Sequence, residues 1–275
     1  MSKQDEILGK HPADHPYLGV WLDYEDKEGT DTSCIRVLSE KATFNQQIID
    51  WFANKLLKYH YSPREINSVK TKLEKLGYPK FAVYYEQSRR TPHDTKVPKG
   101  NATEVLMTEY VLAAIRKADL IYCHRFRYNT NIDQSMKGDD MLLIDFSNID
   151  EPVFYLGEAK FRKQTDKKVL LEVSQSLSKG KMPLSLSFLR NHFELTDDEK
   201  YEMLDDCMTK TLSNYDIRYV GFILSDVKAA QKVEKDWECD NPKHIMLVLS
   251  MDKHEEFIAE SFEKAEDILK QGKTV

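Results

Sequence analysis

Apolar positions recur at helical spacing in residues 44–59, where Phe44, Ile48, Trp51, Phe52 and Leu56 would share one face. Ser62-Pro63-Arg64-Glu65 then opens a second helix that runs towards Leu76-Gly77. Short apolar runs at residues 17–24 and 81–85 read as strands, so residues 1–95 form an N-terminal α/β portion. Breakers and charges collect between residues 87 and 100, in Ser88-Arg89-Arg90-Thr91-Pro92-His93-Asp94 and Pro98-Lys99-Gly100. Beyond that break, Asn101-Ala102-Thr103-Glu104 starts a strongly apolar helix reaching about residue 118, with Thr103 or Asn101 as its cap. A strand follows at residues 121–128, then a hairpin of residues 141–146 and 153–161 around Ser147-Asn148-Ile149-Asp150-Glu151-Pro152. Residues 169–177 read as a helix, 219–224 and 245–249 as buried strands, and 253–271 as an amphipathic terminal helix. The pattern predicts an α/β fold, a mixed sheet flanked by helices, with residues 96–275 as a second domain.

Composition narrows the class. At 275 residues, with 41% hydrophobic and 31% charged, the chain can bury a large core. No apolar run is long enough to span a bilayer, and residues 1–31 are polar and acidic without a signal-peptide core, so a cytoplasmic protein with no membrane partner is expected. Cys34, Cys123, Cys207 and Cys239 form no C-x-x-C pair, which argues against a disulfide framework or a zinc ribbon. The net charge of -6 excludes a protein that coats nucleic acid by a broad basic field. A local basic rim at Lys160, Arg162, Lys163, Lys167 and Lys168 still offers phosphate contacts, with Arg162 and Lys163 the first candidates for DNA.

The chemistry concentrates in Gly138-Asp139-Asp140-Met141-Leu142-Leu143-Ile144 and, one hairpin later, Tyr155-Leu156-Gly157-Glu158-Ala159-Lys160. Side chains alternate along a strand, so Glu158 and Lys160 share a face, and Asp140 at the mouth of the preceding strand lies across the hairpin from them. Two converging carboxylates suit a hard cation, magnesium or in its place manganese, which stabilises charge on a phosphodiester and acidifies a water. The lysine orients or helps deprotonate that water. Glu104, on the first turn of the preceding helix, would complete the metal shell. An E-x-K alone is usually a solvated ion pair, but here it is embedded between Val153-Phe154-Tyr155-Leu156 and Phe161, where an unpaired charge is costly.

The runs Gly100-Asn101-x-x-Glu104, Lys137-Gly138-x-Asp140 and Gly157-Glu158-Ala159-Lys160-Phe161 resemble the HamA nuclease family of the Hachiman anti-phage defence system. The resemblance implies a PD-(D/E)xK restriction-endonuclease-like core, metal-binding carboxylates at Asp140 and Glu158, a catalytic lysine at Lys160 and a supporting acid at Glu104. It also implies a DNA substrate and a heteromeric complex with a superfamily-two helicase, HamB, that restrains the nuclease. Gly138 stands where such cores usually have proline, and Asp139 beside Asp140 is an alternative ligand. Two other readings stay open: a non-catalytic scaffold or inhibitory subunit with a nuclease-like fold, and a restriction or repair nuclease with another partner.

Further residues carry weaker signals. Gln175 falls on the helix after the G-E-A-K strand, where a polar side chain could enter the site. Arg125 and Arg127 alternate outward on the expected strand and read as solvent-facing. The aromatic segment 78–85 could stack on bases, although core packing explains it more simply.

Overall fold

The computed structural model describes residues 1–87, 91, 92, 94, 96–117, 120–129, 131–148, 151–178, 183, 185–194, 197–209 and 215–271. Seven strands, β1 (Leu22–Asp26), β2 (Ile35–Glu40), β3 (Leu120–Tyr122), β4 (Met141–Asp145), β5 (Val153–Phe161), β6 (Asp216–Ser225) and β7 (His244–Ser250), make one sheet in the order β1-β2-β7-β6-β5-β4-β3. The central pairings β2/β7, β7/β6 and β6/β5 are parallel, while β1/β2, β5/β4 and β4/β3 are antiparallel. The sheet is therefore mixed, as the order of elements predicts. The N-terminal portion supplies β1 and β2 to this same sheet.

The helices are α1 (Lys3–Leu8), α2 (Leu18–Trp21), α3 (Gln46–His60), α4 (Pro63–Lys75), α5 (Pro79–Gln87), α6 (Val97–Ile115), α7 (Lys167–Ser178), α8 (Ser185–Phe193), α9 (Asp198–Thr209), α10 (Ala229–Asp236) and α11 (His254–Lys270). Alternation along the strands divides the core between two faces. Tyr155, Ala159, Phe222 and Leu247 meet Phe52 of α3, Met107 and Tyr110 of α6 and Phe257 of α11. On the other face, Ile223 and Val248 meet Val169 and Val173 of α7, while Phe154 and Leu156 meet Leu186 of α8 and Leu204 of α9. Buried almost completely, such side chains contribute roughly 1.5–3 kcal/mol each.

Four expectations need correction. Residues 81–85 are helical, inside α5, because Pro79 suits a helix start and the aromatic residues at 78, 81 and 84 recur every third position. Residues 17–24 divide between α2 and β1. The strand expected over 121–128 stops at Tyr122, and Arg125–Tyr128 form a 3-10 turn. The helix expected to start at Asn101 begins at Val97, with Pro98 in its first turn and Asp94 accepting the Val97 N–H at 3.2 Å. Asn101 and Thr103 are thus interior, with Asn101 bonded to His60 at 2.9 Å and Thr103 donating to the Lys99 carbonyl at 2.7 Å. Parts of the break at residues 88–95, positions 149–150 of the hairpin turn and residue 118 lie outside the described residues.

Candidate active site

The β4–β5 register sets the site. Met141 pairs with Gly157, so Asp140, one residue before β4, lies beside Glu158 and Ala159. The Asp140 Oδ2 accepts the Ala159 N–H at 2.9 Å, which fixes the carboxylate at the end of the ladder. Gly157 lets α6 approach: a Cβ there would stand 2.8 Å from both Met107 Cε and Met141 Cβ. That close packing carries Glu104, one turn before Met107 on α6, into the same cluster. Gly138, at φ 140°, turns the chain into Asp139 and Asp140 in a conformation that disfavours side chains, and a Cβ on it would come within 3.2 Å of Arg125 Nη1.

Arg125 completes the cluster. Its Nη2 donates to Glu104 Oε2 and, at 3.3 Å, to Asp140 Oδ1, while its Nε and Nη1 are buried and find no partner among the described residues. Lys160 Nζ contacts Glu158 Oε1, and Ser176 of α7 donates to Glu158 Oε2 at 2.8 Å. Three carboxylates therefore share two cations. Burial, and then the charge of Asp140, push the Glu104 carboxyl up to about 8 against the pull of Arg125. Burial and the neighbouring Glu158 likewise raise Asp140. Burial works against the Lys160 ammonium, but the Glu158 contact prevails and raises it.

Glu104 and Asp140 also border an open cleft of about 430 Å³, which Lys96, Lys99, Lys160 and Arg162 line on its basic side. Behind the two acids lies a much smaller space, about 20 Å³, bounded by Arg125, Tyr59, Asp139 and Ser185. Arg125 faces that inner space and clamps both acids from behind.

The structure brings Glu104, Asp140, Glu158 and Lys160 into one cluster. Asp139 is turned away to α8, its Oδ2 accepting the Ser185 N–H at 2.9 Å. Gln175 is exposed, and Ser176, the next residue, makes the contact with Glu158. Arg162 pairs with Glu172 at 3.2 Å and Lys163 with Glu255 at 3.1 Å, so the rim is partly neutralised. Arg125, read as solvent-facing, is buried instead, because β3 ends early and the 3-10 turn rotates its side chain inward. Arg127 donates to the Lys58 carbonyl at 2.9 Å. Only the position of Arg125 between two acid-bearing segments, Glu104 upstream and Asp140 downstream, hinted at its pairing.

Among the described residues no three His, Cys, Asp or Glu side chains converge as a ready-made metal cage. The donors nevertheless suit a hard cation: Asp140 and Glu158 offer neighbouring carboxylates, and Mg²⁺ commonly takes one or two carboxylates and fills its remaining positions with water. Burial first, and then the neighbouring carboxylate, raise the Glu104 and Asp140 carboxyls.

A family model described as HamA matches residues 15–265 of the chain. The chain is also similar to the Hachiman protein HamA of Bacillus cereus, with 34% identity over 275 residues that cover 99% of this chain and 98% of that protein.

Proposed function

Because this chain belongs to the HamA family, we propose that it serves anti-phage defence as a metal-dependent DNA nuclease with a PD-(D/E)xK-like core, loaded and released by a helicase partner. One observation carries this reading: the β4–β5 hairpin holds Asp140 beside Glu158, and Asp140, Lys160 and Glu104 line one open cleft. Asp140 and Glu158 would hold one or two Mg²⁺ ions, with Mn²⁺ as a substitute and Glu104 as a further ligand. Bound there, the cation supplies charge stabilisation at phosphorus and a more acidic water.

The chain's own residues do the rest. Lys160, kept protonated beside Glu158, donates to the attacking water or to a phosphate oxygen and offsets charge there. Arg125 and the Ala159 N–H fix the orientation of Asp140. Ser176 fixes one oxygen of Glu158 and leaves the other to Lys160. Lys96, Lys99 and Arg162 line the approach for a polyanion.

A second reading, a non-catalytic scaffold or inhibitory subunit, is favoured by one feature: Arg125 already engages two of the three acids. Cleavage separates the two. Lys160→Ala and Glu158→Ala, reconstituted with the partner subunit, should abolish DNA degradation while the chain folds and assembles as before. Undiminished degradation by either variant removes the nuclease reading.

A further inference from the structure

The α4–α5 hairpin stands apart from the rest of the surface. In α4 only Ile66 is buried and in α5 only Ala82, so the two helices rest mainly on each other. Leu76, Tyr78, Phe81, Val83 and Tyr84, five large apolar side chains within nine residues, are all exposed, with Tyr78 at 60%, Phe81 at 54% and Tyr84 at 62%. A soluble chain rarely leaves such a concentration uncovered without a ligand for it.

The composition of the patch selects the ligand. Tyr78, Phe81 and Tyr84 recur every third residue, and the Phe81 and Tyr84 rings stack at 5.9 Å. Lys72, Lys75 and Lys80 flank them, exposed and without an ion pair among the described residues, whereas Lys70 is tied to Glu86 at 2.7 Å. Protein interfaces are depleted in lysine, while aromatic faces interleaved with unpaired lysines suit bases and phosphates together. A duplex hides its base faces, so the match is to an unpaired strand. The hairpin also packs towards the acids: Ile66 and Tyr85 border a space shared with Phe126, which in turn lines the small space behind Glu104 and Asp140.

We propose that the α4–α5 hairpin is an arm that grips an unpaired nucleic-acid strand, stacking bases on Tyr78, Phe81 and Tyr84 and pairing backbone phosphates with Lys72, Lys75 and Lys80. Its purpose rests on the nuclease reading, namely to hand a strand to the cleft lined by Asp140 and Lys160, but the binding itself does not depend on cleavage.

The test measures anisotropy of a labelled oligothymidylate with the full chain in EDTA, where no strand is cut, across a salt series. Wild type should bind it more tightly than a duplex of equal length. Lys72→Gln, Lys75→Gln and Lys80→Gln combined should flatten the dependence of log affinity on log salt by about 2. Tyr78→Ala, Phe81→Ala and Tyr84→Ala combined should weaken binding ~10-fold or more with the slope kept. Circular dichroism and the thermal midpoint check that both variants fold. Absence of binding by wild type, or unchanged binding by both variants, overturns the proposal. So does a loss of assembly with the partner subunit while oligothymidylate affinity is intact, which assigns the arm to a protein. Loss of cleavage in Lys160→Ala with binding kept bears only on the nuclease, so the two readings fail separately.

Discussion

Two buried arginines, each facing two acids, show how a structural cluster differs from a candidate site. Arg36 on β2 is fully buried and uses every nitrogen: Nε and Nη2 reach Asp26 at 2.6 and 2.9 Å, Nη2 also reaches Asp5 at 2.9 Å, and Nη1 donates to the Gly9 carbonyl at 2.9 Å. Arg125, near the other edge of the sheet, spends one nitrogen on Glu104 and Asp140 and leaves two buried donors without partners among the described residues. The first arrangement is complete in itself, tying the N-terminal segment to the sheet. The second is short of donors for its acids and short of acceptors for its arginine, and a third acid, Glu158, crowds it further. Buried polar groups left in that state are what distinguishes a candidate site from a self-contained ion cluster.

If that contrast is sound, the two clusters respond oppositely to substitution. Glu158→Gln should lower DNA cleavage by roughly 10²–10⁴-fold in a reconstituted assay while the thermal midpoint barely moves. Arg36→Met should do the reverse. Stranding Asp26 and Asp5 costs about 3–5 kcal/mol, a fall of roughly 10 °C by calorimetry, with cleavage per folded molecule unchanged. Arg125→Met should shift the midpoint less, because Glu104, already pushed up to about 8, keeps its proton and neutralises itself.

The pH dependence sharpens the contrast. The Glu104 carboxyl holds its proton to about 8 in the folded chain and releases it near 4.5 when unfolded. Between those values the native, metal-free state binds a proton that the unfolded state lacks, so stability falls as pH rises through that window. Glu104→Gln should therefore raise the midpoint in chelator at pH 8 and leave it unchanged below about 4.5, as read by a pH series of melts. A difference that is constant with pH would place Glu104 in ordinary solvent. The smallest effect expected is for Ser176→Ala, about a threefold to tenfold loss of cleavage from one bond to a charged group, with Gln175→Ala silent.

The β4–β5 hairpin was legible because G-D-D, a turn and G-E-A-K stand at strand spacing among apolar residues, and the register then follows from alternation. Helices α3, α4 and α11 were legible for the same reason at the helical period. Arg125 was not, because the run from Ile121 to Tyr128 keeps an alternating look after the backbone has left the sheet at Cys123. Ser176 was missed for Gln175 because one residue is 100° of helix phase, and the phase is set by packing of Val169 and Val173 against β6 and β7. Strand β2 escaped notice because Arg36 interrupts a short apolar run, and its burial is explained only by Asp5 and Asp26, distant in sequence. Tyr78, Phe81 and Tyr84 read as core because aromatic residues usually are; the structure leaves all three outside.

The nuclease reading requires Asp140 and Glu158 to hold a divalent cation together. Titrating Mg²⁺, and separately Mn²⁺, into the chain and into Asp140→Asn by calorimetry tests it without any substrate or partner. The account predicts saturable binding to wild type that disappears in Asp140→Asn; equal heats from the two proteins, or no binding to wild type, would contradict it.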